Sequence, residues 1–370
     1  MKQRLSPLHL LPPPTNTPWT GGSLNPVRSE IRRKFGASVP LPLPLFWYDP
    51  PWHEVTADQA DNLAVGVGEL GVLVAALRSD LAGPDCEPVF HSGRDSESVD
   101  GEDTTVHRSY PRMLPYRSER YGLTVGDFDG SSVVDLRLSI QRDVSGRFAY
   151  SPSQIQRWEA TPTTSPVAGG SWVPAATFPP DVVSIEHLET KVEQLRRLVD
   201  SAAVFISLGP YRLEKELPAI VATHPDGIIL RLDEISLEGL ELAALTRRAR
   251  YVMDAAKANT VPLWVVPGKV SPDDAVKLIA LGASAVAVDS WCNELIHETH
   301  MTGKDATLSY SSPTSHQYDP RWGEFAKGKL GERIQRVEGL FESLQSVANN
   351  ERLGSLSATW AKTLGVLALG

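Results

Sequence analysis

Two short turns in this chain carry residue types that could hold an anion. The first is Pro267-Gly268-Lys269, with Ser271 close behind; the second is Asp289-Ser290. Each follows a short apolar run, Leu263–Val266 and Ala285–Val288. A turn of this kind presents backbone N–H groups, and Lys269, Ser271 and Ser290 add side-chain donors suited to a phosphate. A strand-to-helix turn that needs one residue at positive φ explains Gly268 equally, with Lys269 solvated. Asp289 admits two roles: an acid–base or ligand contact, or the N-cap of a helix starting near Trp291. Arg137 and Ser207 stand near the ends of two other apolar runs, with Gln141 just beyond the first. They are the remaining catalytic candidates.

Other groupings are weaker signals. His297-Glu298-Thr299-His300 puts two imidazoles and a carboxylate within one helical turn. Zinc uses that spacing, but no third ligand is evident, so a solvated helix end and no metal site are expected. Cys292 beside Trp291 reads as a buried small hydrophobe, since His297 is the only local base that could activate it. Arg247, Arg248 and Arg250 read as the solvated face of a helix. Trp47, Trp52 and Trp172 either line a binding mouth or pack in the core.

Strands and helices alternate along the chain. Leu43–Tyr48, Val72–Leu77, Met113–Tyr116, Val133–Leu138, Ala203–Leu208, Gly227–Leu232, Leu263–Val266 and Ala285–Val288 are apolar runs of strand length. Unbroken apolar runs suit strands buried on both faces of a parallel sheet. Helical patterns follow at Val55–Gly71, Leu213–His224, Leu237–Ala258 and Pro272–Gly282, and another ends near Leu198 after the capping start Ser184-Ile185-Glu186-His187. Eight strands with no hairpin signal predict a closed α/β TIM (β/α)8 barrel over residues 41–300. A Pro-rich N-terminal arm (1–40) and C-terminal helices (301–370) flank it, the latter beginning near Lys329. Residues 83–110 and 141–181 read as long loop insertions.

Composition excludes several classes. The net charge of −9, without a basic stripe interleaved with aromatics, argues against a nucleic-acid partner. No run approaches the roughly 18 apolar residues of a membrane span. Two cysteines, Cys86 and Cys292, suit a reducing cytoplasm and are too few for an iron–sulfur cluster held within one chain. The expected location is cytoplasmic, because Leu8–Leu11 runs into Pro12-Pro13-Pro14 without the shape of a signal peptide.

Several segments, in order, resemble one family. Ser118-Glu119-Arg120-Tyr121-Gly122-Leu123, Asp135-Leu136-Arg137-Leu138-Ser139 and Phe178-Pro179-Pro180 with Ser184–Leu188 look like motifs of the FMN-binding barrel of glutamate synthase and its stand-alone relatives. Val204–Tyr211, Pro225–Leu230 and Leu263–Cys292 continue the likeness. The resemblance implies an FMN-dependent oxidoreductase forming L-glutamate from 2-oxoglutarate and ammonia. It also implies glutaminase or reductase partner chains and a small-molecule ligand at the barrel mouth. Arg120, Gly268, Lys269, Ser271 and Ser290 would then contact the cofactor. The chain departs from the family at the site itself. Ser207 stands at a lysine position, Pro267-Gly268 at a Gly-Gly, and Asp289 within a Gly-rich turn; Asp233 and Glu234 replace a glycine-rich loop. These departures imply an alternative, a catalytically degenerate barrel acting as a binding or interaction module. A barrel that takes an uncharged or cationic ligand through Asp233, Glu234 and Asp289 is a third reading.

Overall fold

The computed structural model describes residues 3–11, 29–34, 36–77, 110–116, 123, 125–138, 149–150, 173–174, 185, 188–233, 235, 237, 239–305, 320–344 and 353–370. Arg120, Gln141, Trp172 and Glu234 lie outside the described residues, as do most of the two long insertions.

Eight parallel strands close into a barrel. We number them β1 (Leu45–Trp47), β2 (Leu73–Ala75), β3 (Arg112–Tyr116), β4 (Ser131–Arg137), β5 (Ala203–Leu208), β6 (Gly227–Arg231), β7 (Leu263–Val266) and β8 (Ala285–Ala287). Each pairs with its sequence neighbours, and β8 closes on β1 through Val286 opposite Leu45 and Ala287 opposite Phe46. Alternate residues divide into two cores. Phe46, Leu73, Met113, Val133, Phe205, Ile229 and Trp264 fill the barrel, whereas Leu45, Trp47, Val74, Leu114, Val134 and Ile206 pack against the helices. The period-two alternation of a strand produces this division.

Aromatic rings plug the interior. The Trp264 ring lies 4.4 Å from Phe205 and 4.9 Å from Phe46, centroid to centroid. Gly227 makes room for this packing: a Cβ there would stand 2.2 Å from the Phe205 ring. Below the rings, an antiparallel hairpin of Ser29–Ile31 and Val39–Leu41 adds Ile31, Val39 and Leu41 to the interior. Part of the expected N-terminal arm is therefore the floor of the barrel.

The helices longer than one turn are α1 (Ala57–Glu69), α2 (Leu188–Leu198), α3 (Leu213–Val221), α4 (Gly239–Ala255), α5 (Pro272–Ala280), α6 (Asp289–Asp305), α7 (Pro320–Leu344) and α8 (Ala358–Leu364). A capping box of Thr56 and Gln59 starts α1, and one of Ser271 and Asp274 starts α5. Helix α7 packs against both α1 and α5 and so completes the helical ring. Its contact with α1 is close enough that a Cβ on Gly66 would lie 2.6 Å from Gly323 Cα. The sequence places the start of this helix near Lys329; it begins at Pro320, because Gly323 and Gly328 weaken the helical pattern without breaking it. The expected boundary at residue 300 falls inside α6.

The first residues of the arm are anchored. Leu8–Leu10 pairs antiparallel with Leu353–Ser355, which pairs in turn with Leu367–Ala368. Leu5 and Leu8 are buried in the outer core. No described helix is long and apolar enough to cross a membrane.

Candidate active site

The C-terminal ends of the strands gather polar side chains above the aromatic plug. Ser207 on β5 stands opposite Arg137 on β4 in the parallel register, so both point into the barrel. Tyr48, just past β1, lays its ring against Arg137, whose guanidinium carbon is 3.8 Å from the ring centroid. Arg231, the last residue of β6, approaches the same ring at 5.2 Å. Two cations thus lie within reach of the Tyr48 ring, an arrangement the negative ring face favours.

A hydrogen-bonded line runs through this layer. The Tyr48 hydroxyl donates to Ser207 Oγ at 3.1 Å, and Ser207 Oγ donates to Asp135 Oδ1. Arg137 Nε donates to Asp135 Oδ2 at 2.7 Å, Nη1 to Asp49 Oδ1 at 3.1 Å and Nη2 to the Tyr48 carbonyl at 2.6 Å. Asp135 and Ser207 are fully buried. Buried charge is tolerated here because each partner has a matched donor or acceptor. Burial raises the Tyr48 hydroxyl well above the usual phenol range, against the pull of Arg137 and Arg231, so it stays protonated.

Asp289 is the first residue of α6 and does not cap it. Its carboxylate reaches across the seam and accepts from Tyr48 N at 2.6 Å and Asp49 N at 3.2 Å. Burial lifts its pKa to about 7; the Tyr48 and Asp49 amides oppose the rise, while the charges of Asp233 and Asp49 add to it. A half-buried carboxyl that titrates near neutrality can hold or release a proton at working pH.

The loops after β7 and β8 meet at one rim. Val270 N donates to Ser290 Oγ at 3.4 Å, and Trp291 Nε1 donates to the Val270 carbonyl at 2.6 Å. Gly268 adopts φ 74°, as its turn requires, and faces Asp233, whose Cβ would be 3.6 Å from an added Gly268 Cβ. Lys269 is exposed and Ser290 half-buried. Ser271 is turned away, its hydroxyl given to Asp274 at 2.7 Å in the α5 cap.

Arg137, Ser207 and Asp289 therefore share the mouth, and Gly268, Lys269 and Ser290 share its β7–β8 rim. Sequence reasoning missed Tyr48 and treated Asp135 only as part of a motif; a lone carboxylate inside the apolar run Val133–Leu138 was the available signal. Other expectations resolve structurally. Trp47 and Trp52 pack together at 4.7 Å in the outer core, and their indoles bond Asn293 and the Ala75 carbonyl. Cys292 is fully buried, and burial together with Asp289 raises its thiol pKa. His297 and Glu298 are exposed, and no described group of three or more His, Cys, Asp or Glu could hold a metal. Arg250 is a correction to the solvated-face reading. It is buried, and it bonds Asp254 and the Val261 and Ala258 carbonyls to close the end of α4.

No protein-family model matches the chain, and no curated protein matches it. Among solved structures, a mandelate oxidase mutant with a C4a-OH-FMN adduct is 15% identical, over 91% of this chain and 84% of that one, with a TM-score of 0.45. A putative lactate oxidase from Pediococcus acidilactici is 11% identical, over 91% and 79%, at 0.48. Mandelate oxidase with benzoyl-formic acid is 14% identical, over 92% and 83%, at 0.46.

Proposed function

We propose that this chain is a flavin-dependent oxidoreductase acting on a small molecule at the barrel mouth. One juxtaposition carries the reading: Gly268, Lys269 and Ser290 share a rim beside a mouth in which Arg137 and Arg231 flank Tyr48. FMN, which the sequence resemblance implies, combines a phosphate with a planar ring, and the residues divide in the same way. The Gly268 amide, Lys269 and Ser290 would hold the phosphate. Arg137 and Arg231 would face the polar edge of the ring or an anionic substrate. When bound, FMN would supply two-electron hydride chemistry. The protein's own residues would orient the substrate, and Asp289 would hold or release a proton near neutral pH. The Tyr48–Ser207–Asp135 line would support the site from beneath through side-chain hydrogen bonds. Phe46, Phe205 and Trp264 beneath it would exclude water.

Within this class the sequence resemblance selects L-glutamate formation from 2-oxoglutarate and ammonia, with glutaminase and reductase partner chains. That finer assignment rests on the resemblance; the mouth chemistry speaks for an anionic small molecule. Arg120 and Gln141 stay part of the proposal through the resemblance alone, and Ser271 takes no part in it.

A second reading has its own observation. Asp233 and Asp289 flank the turn that would meet the phosphate, and Pro267 has no N–H to offer. Charge repulsion in a partly dry mouth favours a barrel that has lost flavin chemistry and serves as a binding or interaction module. One measurement separates the two. The visible spectrum of purified protein, followed by FMN titration with fluorescence quenching, should show stoichiometric flavin; colourless protein that ignores excess FMN would sink the oxidoreductase reading.

A further inference from the structure

We infer that Arg4, at the far end of the chain from the site, is a positioning residue that aims the backbone amides of the β7 turn toward the anion rim. The inference rests on the proposed phosphate position and adds the element that sets it.

Arg4 is bound from three sides. Its Nη1 donates to the Pro267 carbonyl at 2.7 Å and the Lys269 carbonyl at 2.9 Å, and its Nη2 donates to the Leu237 carbonyl at 2.7 Å. One guanidinium therefore joins the loops after β6 and β7. Its backbone is fixed as well: Arg4 N and Leu5 N donate to the two carboxylate oxygens of Asp274, each at 2.9 Å, and Lys277 Nζ donates to the Leu5 carbonyl at 3.0 Å. The approach is close enough that a Cβ on Gly239 would stand 1.7 Å from the Arg4 carbonyl oxygen.

Peptide planarity supplies the consequence. A carbonyl and the next N–H share one plane and point in opposite directions. Drawing the Pro267 and Lys269 carbonyls onto Arg4 turns the Gly268 and Val270 N–H groups away from it. The Val270 N–H does point the other way, onto Ser290 Oγ. By the same planarity Gly268 N–H, whose preceding carbonyl is on the same guanidinium nitrogen, is directed away from Arg4. Gly268 N–H is then the backbone donor the turn offers to an anion, while Val270 N–H holds Ser290 Oγ beside it.

The test uses the full chain, labelled with 15N, as wild type, Arg4→Ala and Arg4→Lys. Inorganic phosphate is titrated while the Gly268 and Val270 amide resonances are followed. In wild type both resonances should move with phosphate. Arg4→Ala should abolish the movement or weaken phosphate binding about tenfold, the loss expected for a misaimed hydrogen bond to a charged group. Arg4→Lys should restore little, because an ammonium cannot span three carbonyls in one plane. Free guanidinium added to Arg4→Ala should recover part of the response, which a merely structural staple would not show. Phosphate that leaves both amides unmoved in wild type, or moves them equally in Arg4→Ala, would overturn the inference. Failure of the flavin reading is separate: wild type would then bind phosphate at these amides while ignoring FMN. Circular dichroism melting checks that Arg4→Ala is folded; should it unfold, Arg4→Lys decides alone, and a wild-type response there would overturn the inference.

Discussion

Each end of the barrel buries an aspartate against an arginine, and the two pairs are built differently. At the floor, Asp226 accepts from Arg196 Nη2 at 2.9 Å, from Lys34 N at 2.8 Å and from Val204 N at 2.9 Å. Two of those donors are backbone amides, which ties the hairpin to the barrel and leaves the carboxylate nothing further to do. At the mouth, Asp135 is met by side chains: the Arg137 guanidinium and the Ser207 hydroxyl. Side-chain partners can reorient when a ligand arrives, whereas amides within strands cannot. A buried pair of backbone-bonded groups serves architecture; a buried pair of rotatable groups is where chemistry can be placed.

The comparison can be broken most directly at the floor. Asp226→Ala should cost about 3–5 kcal/mol in urea unfolding, because it takes a buried carboxylate from Arg196 and strands two amides. FMN binding should be unchanged in the molecules that remain folded, and a cost below about 1 kcal/mol would show that the floor is not held this way. The mouth counterpart, Asp135→Asn, should cost less stability, about 1–3 kcal/mol, yet change ligand affinity. If it altered stability alone, the two ends would be equivalent. Lys269→Ala should weaken FMN about tenfold with no shift in melting temperature, since its side chain is exposed; equal affinity would move the phosphate elsewhere.

A further test concerns pH. Native Asp289 keeps its proton up to about pH 7, whereas an unfolded aspartate releases it near 3.8. The native state therefore binds more protons across that window, and this group's contribution to stability falls as pH rises from about 4 to about 7, then levels. Asp289→Asn should flatten that slope in urea midpoints measured across the range. An identical slope in the variant would assign the titration to another group.

Most of the barrel was legible in the sequence for one physical reason. Strands buried on both faces need unbroken apolar runs, and Ala203–Leu208 and Leu263–Val266 carry such runs from end to end. The turn after β7 was legible too, because Gly268 supplies a positive φ between a strand and a helix. What stayed hidden depends on partners distant in sequence. Arg4 sits in a segment without periodicity, and its meaning appears only beside carbonyls of Pro267 and Lys269. Tyr48 looks like one more aromatic at a strand end until Arg137 and Arg231 are seen against its ring. Arg250 shares a cluster with two other arginines, and local sequence cannot say which of three helical positions turns inward.

The small sheet that joins Leu8–Leu10 to Leu353–Ser355 has a consequence for how the molecule is made. During synthesis the first of these strands leaves the ribosome with its partner still untranslated, so the opening residues must wait. Until that partner arrives, the backbone of the segment that carries Arg4 is held by Asp274 and Lys277. A chain truncated near its C-terminus would complete its cylinder and lose the pairing partner of Leu8–Leu10.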